Sequence, residues 1–191
     1  MVNQPSGKVR IIAGKWRSRK ITFPAIPGLR PTHDRIRETL FNWLMNDIEG
    51  ATCLDLFAGS GVLGFEALSR GAKHVTFVDN SPEVIASLKK NVATLNVESF
   101  ADIIQAECPD SLLTLKHAPF DIVFLDPPFF QNLIPATIDW LEGSNDLEAG
   151  ALIYVEMDGS LSPLPLPVDW ETFRWKKTST LIYSLFKRQS G

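Results

Sequence analysis

Apolar runs alternate with amphipathic stretches along the chain from residue 52 onward. Short continuous apolar runs predict buried strands, whereas apolar residues three or four positions apart predict helices. These patterns predict strands near 52–57, 74–79, 100–105, 120–126, 150–156, 169–175 and 179–187, and helices near 61–70, 81–96, 109–116 and 131–142. Such alternation is typical of an α/β fold in which a doubly wound, mostly parallel sheet is covered on both faces.

The end of the chain departs from this alternation. Its last two predicted strands are joined by only a short turn around Lys176, Lys177 and Thr178, so we expect them to form an antiparallel hairpin at one end of the sheet. A doubly wound sheet that ends in such a hairpin resembles the class I methyltransferase fold, which is Rossmann-like, rather than the fold of an ordinary dehydrogenase.

The beginning of the chain has a pattern of its own. We expect residues 1–7 to be disordered, and the apolar segments 9–14 and 19–23 to form a small β-hairpin before a linker rich in proline and glycine. We therefore divide the chain into a basic hairpin arm with its linker, residues 1–31, and a main domain, residues 32–191.

A helix is predicted from about His33 to Asn46, with Thr32 as its N-cap. We expect Arg35 and Arg37 to point away from its apolar face. That face is predicted to contain Ile36, Leu40, Phe41 and Leu44.

The composition, with 45% apolar and 21% charged residues among 191, is that of an ordinary globular protein with one substantial core. No apolar run reaches membrane-spanning length and the first ten residues are too polar for a secretory signal, so we expect a cytoplasmic protein. Cys53 and Cys108 lack metal-binding spacing, so we expect no bound metal. Cys53 is expected to be a buried strand residue and Cys108 a reduced thiol. We take a monomer as the default.

The net charge of −3 conceals an uneven distribution. Residues 1–37 contain nine Lys or Arg and one acid, a net charge of +8, whereas the remaining residues carry −11. In the hairpin, Trp16 is surrounded by cations that suit phosphate contacts beside a base-stacking ring: Arg10, Lys15, Arg17, Arg19 and Lys20. The alternative to an RNA-binding arm is a solvated terminal tail. The alternative to base stacking by Trp16 is that its ring only anchors the hairpin to the main domain.

A glycine turn follows the first strand of the main domain. Residues 58–61 lie between that strand and a helix start, the usual place for a nucleotide-like ligand. Residues 59–64 also fit G-x-G-x-x-G, which is compatible with a dinucleotide. Asp55, inside the strand, would face a pyrophosphate badly but suits a cationic ligand such as S-adenosylmethionine.

The next two strands end in polar residues. Asp79, followed by Asn80, can accept hydrogen bonds from both ribose hydroxyls of an adenosine, which NAD and S-adenosylmethionine share. The alternative is that Asp79 or Ser81 only caps the following helix. After the third strand, Glu107 is our choice for the contact with the adenine amino group.

The fourth strand delivers Asp126, Pro127, Pro128 and Phe129. Consecutive prolines fix the backbone and remove two N–H donors, leaving carbonyl acceptors beside a carboxylate and an aromatic ring. This array suits the exocyclic amine of a nucleobase, which must leave its stack to be reached. Acceptors on the two N–H groups, from Asp126 and the Pro127 carbonyl, would turn the nitrogen lone pair toward a methyl donor while Phe129 stacks on the base.

At these residues the chain resembles a known group of enzymes. Residues 55–61 together with 126–129 resemble the S-adenosylmethionine-dependent methyltransferases that act on amino groups. Residues 9–17, 29–32 and 37–44 are similar to those of the bacterial RsmD family. The resemblance implies methyl transfer from S-adenosylmethionine to the N2 amine of a guanine, G966, in 16S ribosomal RNA of the small subunit or an assembly intermediate.

The resemblance also implies roles for individual residues. Asp55, Gly59 and Gly61 would hold the methionine part of the cofactor and Asp79 its ribose; the same site would include Phe57, Ala58, Ser60, Asn80 and Glu107. Residues 126–129 would receive the guanine, with 30–32 at the side of the pocket. The RNA surface would consist of Arg10, Lys15, Trp16, Arg17, Arg19, Lys20, Arg30 and Arg35.

Three alternatives stay open. The same chemistry could serve an amine of another RNA or DNA base, because the geometry at Asp126 does not separate guanine N2 from adenine N6. An NAD-dependent oxidoreductase would need a hydride-transfer partner such as a Tyr–Lys pair or a catalytic His, and the sequence offers none in a recognisable pattern. A non-catalytic RNA-binding assembly factor would not need residues 126–129.

Overall fold

The computed structural model describes residues 6–109, 115, 119–128, 133–161 and 164–189. The predicted helix near 109–116 lies almost entirely outside these residues, as does Phe129. No helix in the described part of the chain is long and apolar enough to cross a membrane.

Seven strands form one sheet in the order β5-β4-β3-β6-β7-β9-β8. Five are mutually parallel: β3 (Thr52–Leu56), β4 (His74–Asp79), β5 (Ala101–Gln105), β6 (Phe120–Leu125) and β7 (Leu147–Asp158). The last strand, β9 (Leu181–Arg188), lies between β7 and β8 (Trp170–Lys177) and is antiparallel to both. The class I methyltransferase fold with its terminal antiparallel hairpin is thus confirmed.

Helices cover both faces of the sheet. One apolar layer includes residues of α1 (Asp34–Trp43), α2 (Val62–Ser69) and α3 (Pro82–Leu95), and the other includes residues of α4 (Leu133–Gly143). Successive strand residues alternate between the layers, as in Cys53 on one side and Leu54 on the other. Both faces of the central strands are therefore apolar, which explains their continuous apolar sequences.

The N-terminal hairpin is present, with boundaries that differ from the predicted ones. It pairs β1 (Ser6–Arg10) with β2 (Lys20–Pro24), so Ser6 and Gly7 belong to a strand and the expectation of disorder is wrong for them. Ile11, Trp16 and Ile21 lie in the same apolar layer as α1, α2 and α3. The boundary at residue 31 stays a prediction, but residues 6–24 share the core of the main domain.

Trp16 is only 7% exposed, and Ser69 Oγ accepts a hydrogen bond of 3.0 Å from its backbone N–H. A ring buried in this way is not available to stack on a base. The structure therefore favours the alternative in which Trp16 pins the hairpin to the body, and corrects its assignment to the RNA surface. The neighbouring Lys15, Arg17, Arg19 and Lys20 are exposed.

The start of α1 differs from the prediction in two respects. Its N-cap is the exposed His33, which makes no side-chain capping bond, and not Thr32. The Thr32 hydroxyl donates instead to Asp126 at 3.2 Å. Arg37, expected to point away from the core, is fully buried. A charged residue is almost never fully buried unless it is paired, so its partners matter.

The buried Arg37 joins three parts of the chain. It donates hydrogen bonds of 3.0 Å to the carbonyl oxygens of Thr32 and Arg10, and it pairs with Asp34 and with the buried Glu66, at 3.5 Å for the latter. Glu66 in turn accepts from the backbone N–H groups of Ile12 and Ala13, at 2.9 and 3.0 Å. The hairpin, α1 and α2 are thus held together by one polar cluster.

Replacing Glu66 by Ala is expected to lower the free energy of unfolding by about 3–5 kcal/mol, because the buried Arg37 would keep only Asp34 as an acidic partner and the N–H groups of Ile12 and Ala13 would lose their acceptor. Urea unfolding followed by circular dichroism measures this loss. Glu38→Ala, at an exposed position of α1, is the matched control and should change stability by less than about 0.5 kcal/mol. A loss below about 1 kcal/mol for Glu66→Ala would contradict the proposed role of the cluster.

Candidate active site

Four carboxyl groups lie at the carboxyl edge of the parallel strands. Asp55 is in β3, Asp79 ends β4, Asp126 follows β6 and Glu156 is near the end of β7. These strands are adjacent in the order β4-β3-β6-β7, and Leu125 of β6 pairs with Val155 of β7. Residues that are far apart in the sequence therefore meet at one edge, the usual site for ligands in doubly wound sheets.

The glycine turn after β3 is tightly packed. Phe57, Gly59 and Gly61 all have positive φ values, of 58°, 53° and 71°, and a Cβ on Gly61 would lie 2.4 Å from Leu88 Cδ2. Asp55 Oδ2 accepts a hydrogen bond of 3.0 Å from the backbone N–H of Gly64, in the first turn of α2. Asp55 thus ties the start of α2 to the strand that precedes it.

Asp79 holds the same turn from the neighbouring strand. Its Oδ2 accepts from the N–H of Gly59 at 2.9 Å, and its Oδ1 accepts from the N–H of Ser81 at 2.9 Å. The N-cap of α3 is Ser81, whose hydroxyl accepts from Val84. Asp79 is therefore not the helix cap, and each of its carboxylate oxygens keeps a lone pair for a further donor.

Asp126 lies between Thr32 and Glu156. The Thr32 hydroxyl donates to its Oδ2 at 3.2 Å, while the Tyr154 hydroxyl bonds the Glu156 carboxylate at 2.9 Å. Pro127 is buried and Pro128 is exposed. The carboxylate and the proline backbone follow β6 directly, their role as an amine-binding array stays a prediction, and Phe129 is outside the described residues.

Burial and mutual repulsion make these carboxyl groups unusually basic. Burial raises the pKa of Asp55 to about 8, opposed by the Gly64 hydrogen bond and assisted by the charge of Asp79. Burial, then the charge of Glu156, raises the pKa of Asp126 well above its ordinary value. Burial likewise raises the pKa values of Asp79 and Glu156. No ion pair within the described residues involves any of the four.

No Lys or Arg of the described residues pairs with this acidic cluster, and His33 is the basic group that acts on Glu156, so the cluster favours a positively charged ligand. Positive charge at this edge would replace an unfavourable carboxyl–carboxyl contact by an attraction, which is strong where water is excluded. An anionic pyrophosphate would have the opposite effect. The charges of the site therefore favour a cationic ligand at the glycine turn over an anionic dinucleotide.

One residue of this site, Glu156, is not predicted by the sequence analysis. It follows the rule that identifies Asp79, an acid at the end of an apolar strand, so the sequence Tyr154-Val155-Glu156 carries a usable signal. The resemblance places Thr32 at the side of the pocket, but the sequence predicts helix capping for its hydroxyl, and the contact with Asp126 depends on the fold. Asn80 and Glu107 are exposed beside the site, and their roles as ligand contacts stay predictions.

The hairpin and linker cations vary in how free they are. Arg10 forms an ion pair with Asp34 at 2.8 Å, and Arg19 donates to the carbonyl oxygen of Thr94 at 3.0 Å. Lys15 lies over the Trp16 ring, 5.7 Å from its centroid. Arg17, Arg30 and Arg35 are also exposed.

Comparison with known proteins agrees with this geometry. A structure of a candidate methyltransferase from Escherichia coli, yhhF, superposes with a TM-score of 0.86 at 44% identity, covering 97% of this chain and all of that one. A candidate methylase from Haemophilus influenzae gives a TM-score of 0.82 at 46% identity, covering 96% of this chain and all of that one. The fold and the site define a class I methyltransferase.

The sequence comparisons give the family. The model of the family described as Conserved hypothetical protein 95 matches residues 9–187. Ribosomal RNA small subunit methyltransferase D of Haemophilus influenzae is 49% identical over 183 residues, which cover 95% of this chain and 94% of that protein. The chain therefore belongs to this family, the RsmD family of methyltransferases.

The raised pKa of Asp55 predicts a particular pH dependence of stability. In the unfolded chain this carboxyl is ionised above about pH 4, whereas in the folded protein it keeps its proton up to about pH 8. Its contribution to the free energy of unfolding is therefore largest at acidic pH and is lost as the pH rises toward 8.

Asp55→Asn, which imitates the protonated side chain and can still accept from Gly64, should remove this contribution. Between pH 5 and pH 8 the wild type should lose at least about 1 kcal/mol more stability than the variant. Urea unfolding at several pH values measures the difference. Parallel curves for the two proteins would show that Asp55 is ionised in the folded protein throughout this range.

Proposed function

We propose that this protein transfers a methyl group from S-adenosylmethionine to the N2 amine of a guanine in 16S ribosomal RNA. The observation that carries the proposal is the position of Asp126 and the Pro127 carbonyl beside a cluster of uncompensated carboxyl groups at the glycine turn. One end of this site suits a cation and the other suits a donor amine. The family membership and the names of relatives that act on small-subunit ribosomal RNA support it.

The residues present fit S-adenosylmethionine. Its amino-acid ammonium and sulfonium are both cations, which would lower the raised pKa values of Asp55, Asp79 and Asp126 and so favour their ionised forms. The described ion pairs include no Lys or Arg at these three groups. Asp79 has lone pairs for the ribose hydroxyls. Gly59 presents a backbone without a Cβ, and Leu29 Cδ1 and the Phe57 carbonyl oxygen lie 3.7 Å from the position that a Cβ would occupy. When bound, this cofactor supplies an activated methyl group.

The target amine is held by acceptors. A guanine N2 carries two N–H groups and a lone pair delocalised into the ring, so it is a weak nucleophile. Hydrogen bonds from those N–H groups to the Asp126 carboxylate and the Pro127 carbonyl orient the lone pair out of the ring plane. Positioning and electrostatics then provide most of the rate enhancement.

The amine also has to lose a proton when it gains the methyl group. The Asp126 carboxyl has a pKa well above the ordinary value, because of burial and the nearby Glu156. A bound cationic cofactor would lower this pKa and keep Asp126 ionised, and a carboxylate that is still more basic than usual is better suited to take the proton. Asp126 thus serves both as a hydrogen-bond acceptor and as the proton acceptor.

Thr32 positions Asp126, and Arg37 positions Thr32. The Thr32 hydroxyl bonds the carboxylate, and its carbonyl oxygen accepts from Arg37 Nε at 3.0 Å. Through Glu66 the same arginine is joined to the hairpin. The orientation of Asp126 therefore depends on the docked hairpin as well as on β6.

The exposed cations of the hairpin supply the contact with RNA phosphates. They project from a protein with a net charge of −3, so RNA should approach at this end of the molecule. The same chemistry on another base amine remains the alternative, because Asp126 and Pro127 recognise an amine rather than a whole base.

Asp126→Ala should lower kcat for methyl transfer at least about 100-fold, because the amine loses an acceptor that orients it. The dissociation constant for S-adenosylmethionine should stay within about threefold, since Asp55 and Asp79 are intact. Tritiated methyl transfer to 30S subunits from a strain that lacks the enzyme measures the rate, and calorimetry measures the affinity.

Asp139→Ala, at an exposed position of α4, is the matched control and should retain activity. The wild type should be assayed in parallel on 30S subunits, free 16S ribosomal RNA and DNA, and the methylated nucleoside identified. Full activity of Asp126→Ala would contradict the mechanism. Methylation of adenine or of DNA alone would contradict the assigned substrate.

Arg17→Glu tests the hairpin surface without removing its buried anchor residues. Loss of a phosphate contact should weaken RNA binding and reduce the slope of log affinity against log salt by about one unit. Filter binding to 16S ribosomal RNA over a range of salt concentrations measures both quantities. The control is Lys187→Glu in β9, which lies between β7 and β8 on the side of the sheet away from α3 and the hairpin; an equal effect of the two variants would refute a specific role for the hairpin.

A further inference from the structure

The end of the chain is a second basic segment. Residues 38–171 contain five Lys or Arg and 21 acids, whereas residues 172–191 contain five Lys or Arg and no acid. Three of these cations and a tryptophan are consecutive at the end of β8: Arg174, Trp175, Lys176 and Lys177. These four residues are called the basic strand end below.

The basic strand end is exposed and available. The side chain of Trp175 is 61% exposed, and Lys176 and Lys177 are also exposed. Arg174 places its guanidinium 4.2 Å from the centroid of the Phe173 ring and donates to the Phe173 carbonyl oxygen. None of the three cations forms an ion pair with another residue of the described chain.

The topology brings this segment to the edge that carries the site. Both β7 and β8 are antiparallel to β9, so they are parallel to each other and end at the same edge of the sheet. Lys176 is in register with Tyr183, which is in register with Glu156 of the carboxyl cluster. From β6, which delivers Asp126, to β8 there are three strand spacings, or roughly 14 Å.

The exposed cations of the hairpin lie at another edge of the sheet. The hairpin turn bonds Ser69 at the end of α2, and Arg19 donates to the carbonyl oxygen of Thr94 near the end of α3, so these cations lie toward the amino edge. The basic strand end lies instead at the carboxyl edge, in the edge strand β8. A polyanion that reaches the acidic site would be repelled there and attracted by the basic strand end.

We propose that the basic strand end binds the single-stranded RNA nucleotides that flank the methylated base, an inference that rests on the proposed function. Lys176 and Lys177 contact the phosphates and the Trp175 ring stacks on a neighbouring base. A base that leaves its stack for the active site leaves its neighbours without a stacking partner, and an exposed aromatic ring about two or three nucleotides away provides one. Lys176 and Lys177 form no ion pair within the described residues, lie next to the exposed Trp175 ring and are followed by no acid in the sequence. Their charge suits the phosphates of single-stranded RNA, and the flat ring suits its bases.

The test compares two double variants, each of which replaces one aromatic residue by Ala and one Lys by Glu. Trp175→Ala/Lys177→Glu alters the basic strand end. Phe100→Ala/Lys187→Glu removes another exposed aromatic, 52% exposed before β5, and another cation near the end of β9, both toward the amino edge of the sheet. Each protein is assayed for binding to a single-stranded RNA of about 20 nucleotides over a range of salt concentrations, for S-adenosylmethionine affinity, and for KM and kcat on 30S subunits.

The variant of the basic strand end is expected to bind RNA about tenfold more weakly and to raise KM by a similar factor. Its kcat and its S-adenosylmethionine affinity should remain those of the wild type, which also shows that it is folded. The control variant should match the wild type throughout. Unchanged RNA affinity of the first variant, or an equal loss in the control, would overturn the inference.

A crosslinking arm separates RNA from a protein partner. Benzoylphenylalanine at position 175, irradiated with 30S subunits, should crosslink to ribosomal RNA; crosslinking to a ribosomal protein alone would overturn the inference. A wild type that methylates no RNA would instead refute the proposed function, while the binding assay would still report on the basic strand end. The two failures are therefore distinguishable.

Discussion

The pair formed by Arg37 and Glu66 is the interaction on which the rest of the structure depends. Both side chains are fully buried, so if one is lost the other depends on a single remaining ionic partner, Asp34 for Arg37 and Arg70 for Glu66. Glu66 fixes the hairpin backbone, and Arg37 fixes the carbonyl oxygen of Thr32, whose hydroxyl bonds Asp126. One buried ion pair thus joins the segment that is proposed to meet RNA to the carboxylate that is proposed to meet the base.

The active-site edge is an unfavourable arrangement that the fold maintains. Four carboxyl groups lie together, with pKa values raised by burial and repulsion. The parallel strands on which they stand are bonded to neighbours on both sides and apolar on both faces, so the backbone cannot relax to separate them. Stability supplied by the central sheet thus keeps together carboxyl groups that the proposed function assigns to a cationic ligand and to a nucleobase amine.

Much of the fold was predictable because the sequence separates strands, seen as continuous apolar runs, clearly from helices, in which apolar residues recur every three or four positions. The strand 74–79 was located to the residue, and the terminal hairpin followed from the short turn after Lys177. Asp55, Asp79 and Asp126 were recognisable because each ends or interrupts an apolar strand. The errors have a common origin: Arg37 and Trp16 have exposed-looking sequence neighbours, and their burial depends on partners 29 and 53 residues away, which no local pattern reveals.

The position of β9 has a consequence for how the molecule is assembled. Residues 181–188 are the last strand in the sequence but not the last in the sheet, because they lie between β7 and β8. Until they are synthesised, β8 has no neighbour to bond, and the end of β7, with Glu156 opposite Tyr183, is unpaired on one side. A nascent chain can form the parallel strands and the glycine turn early, but the order of synthesis makes the carboxyl edge of β7 one of the final parts to form.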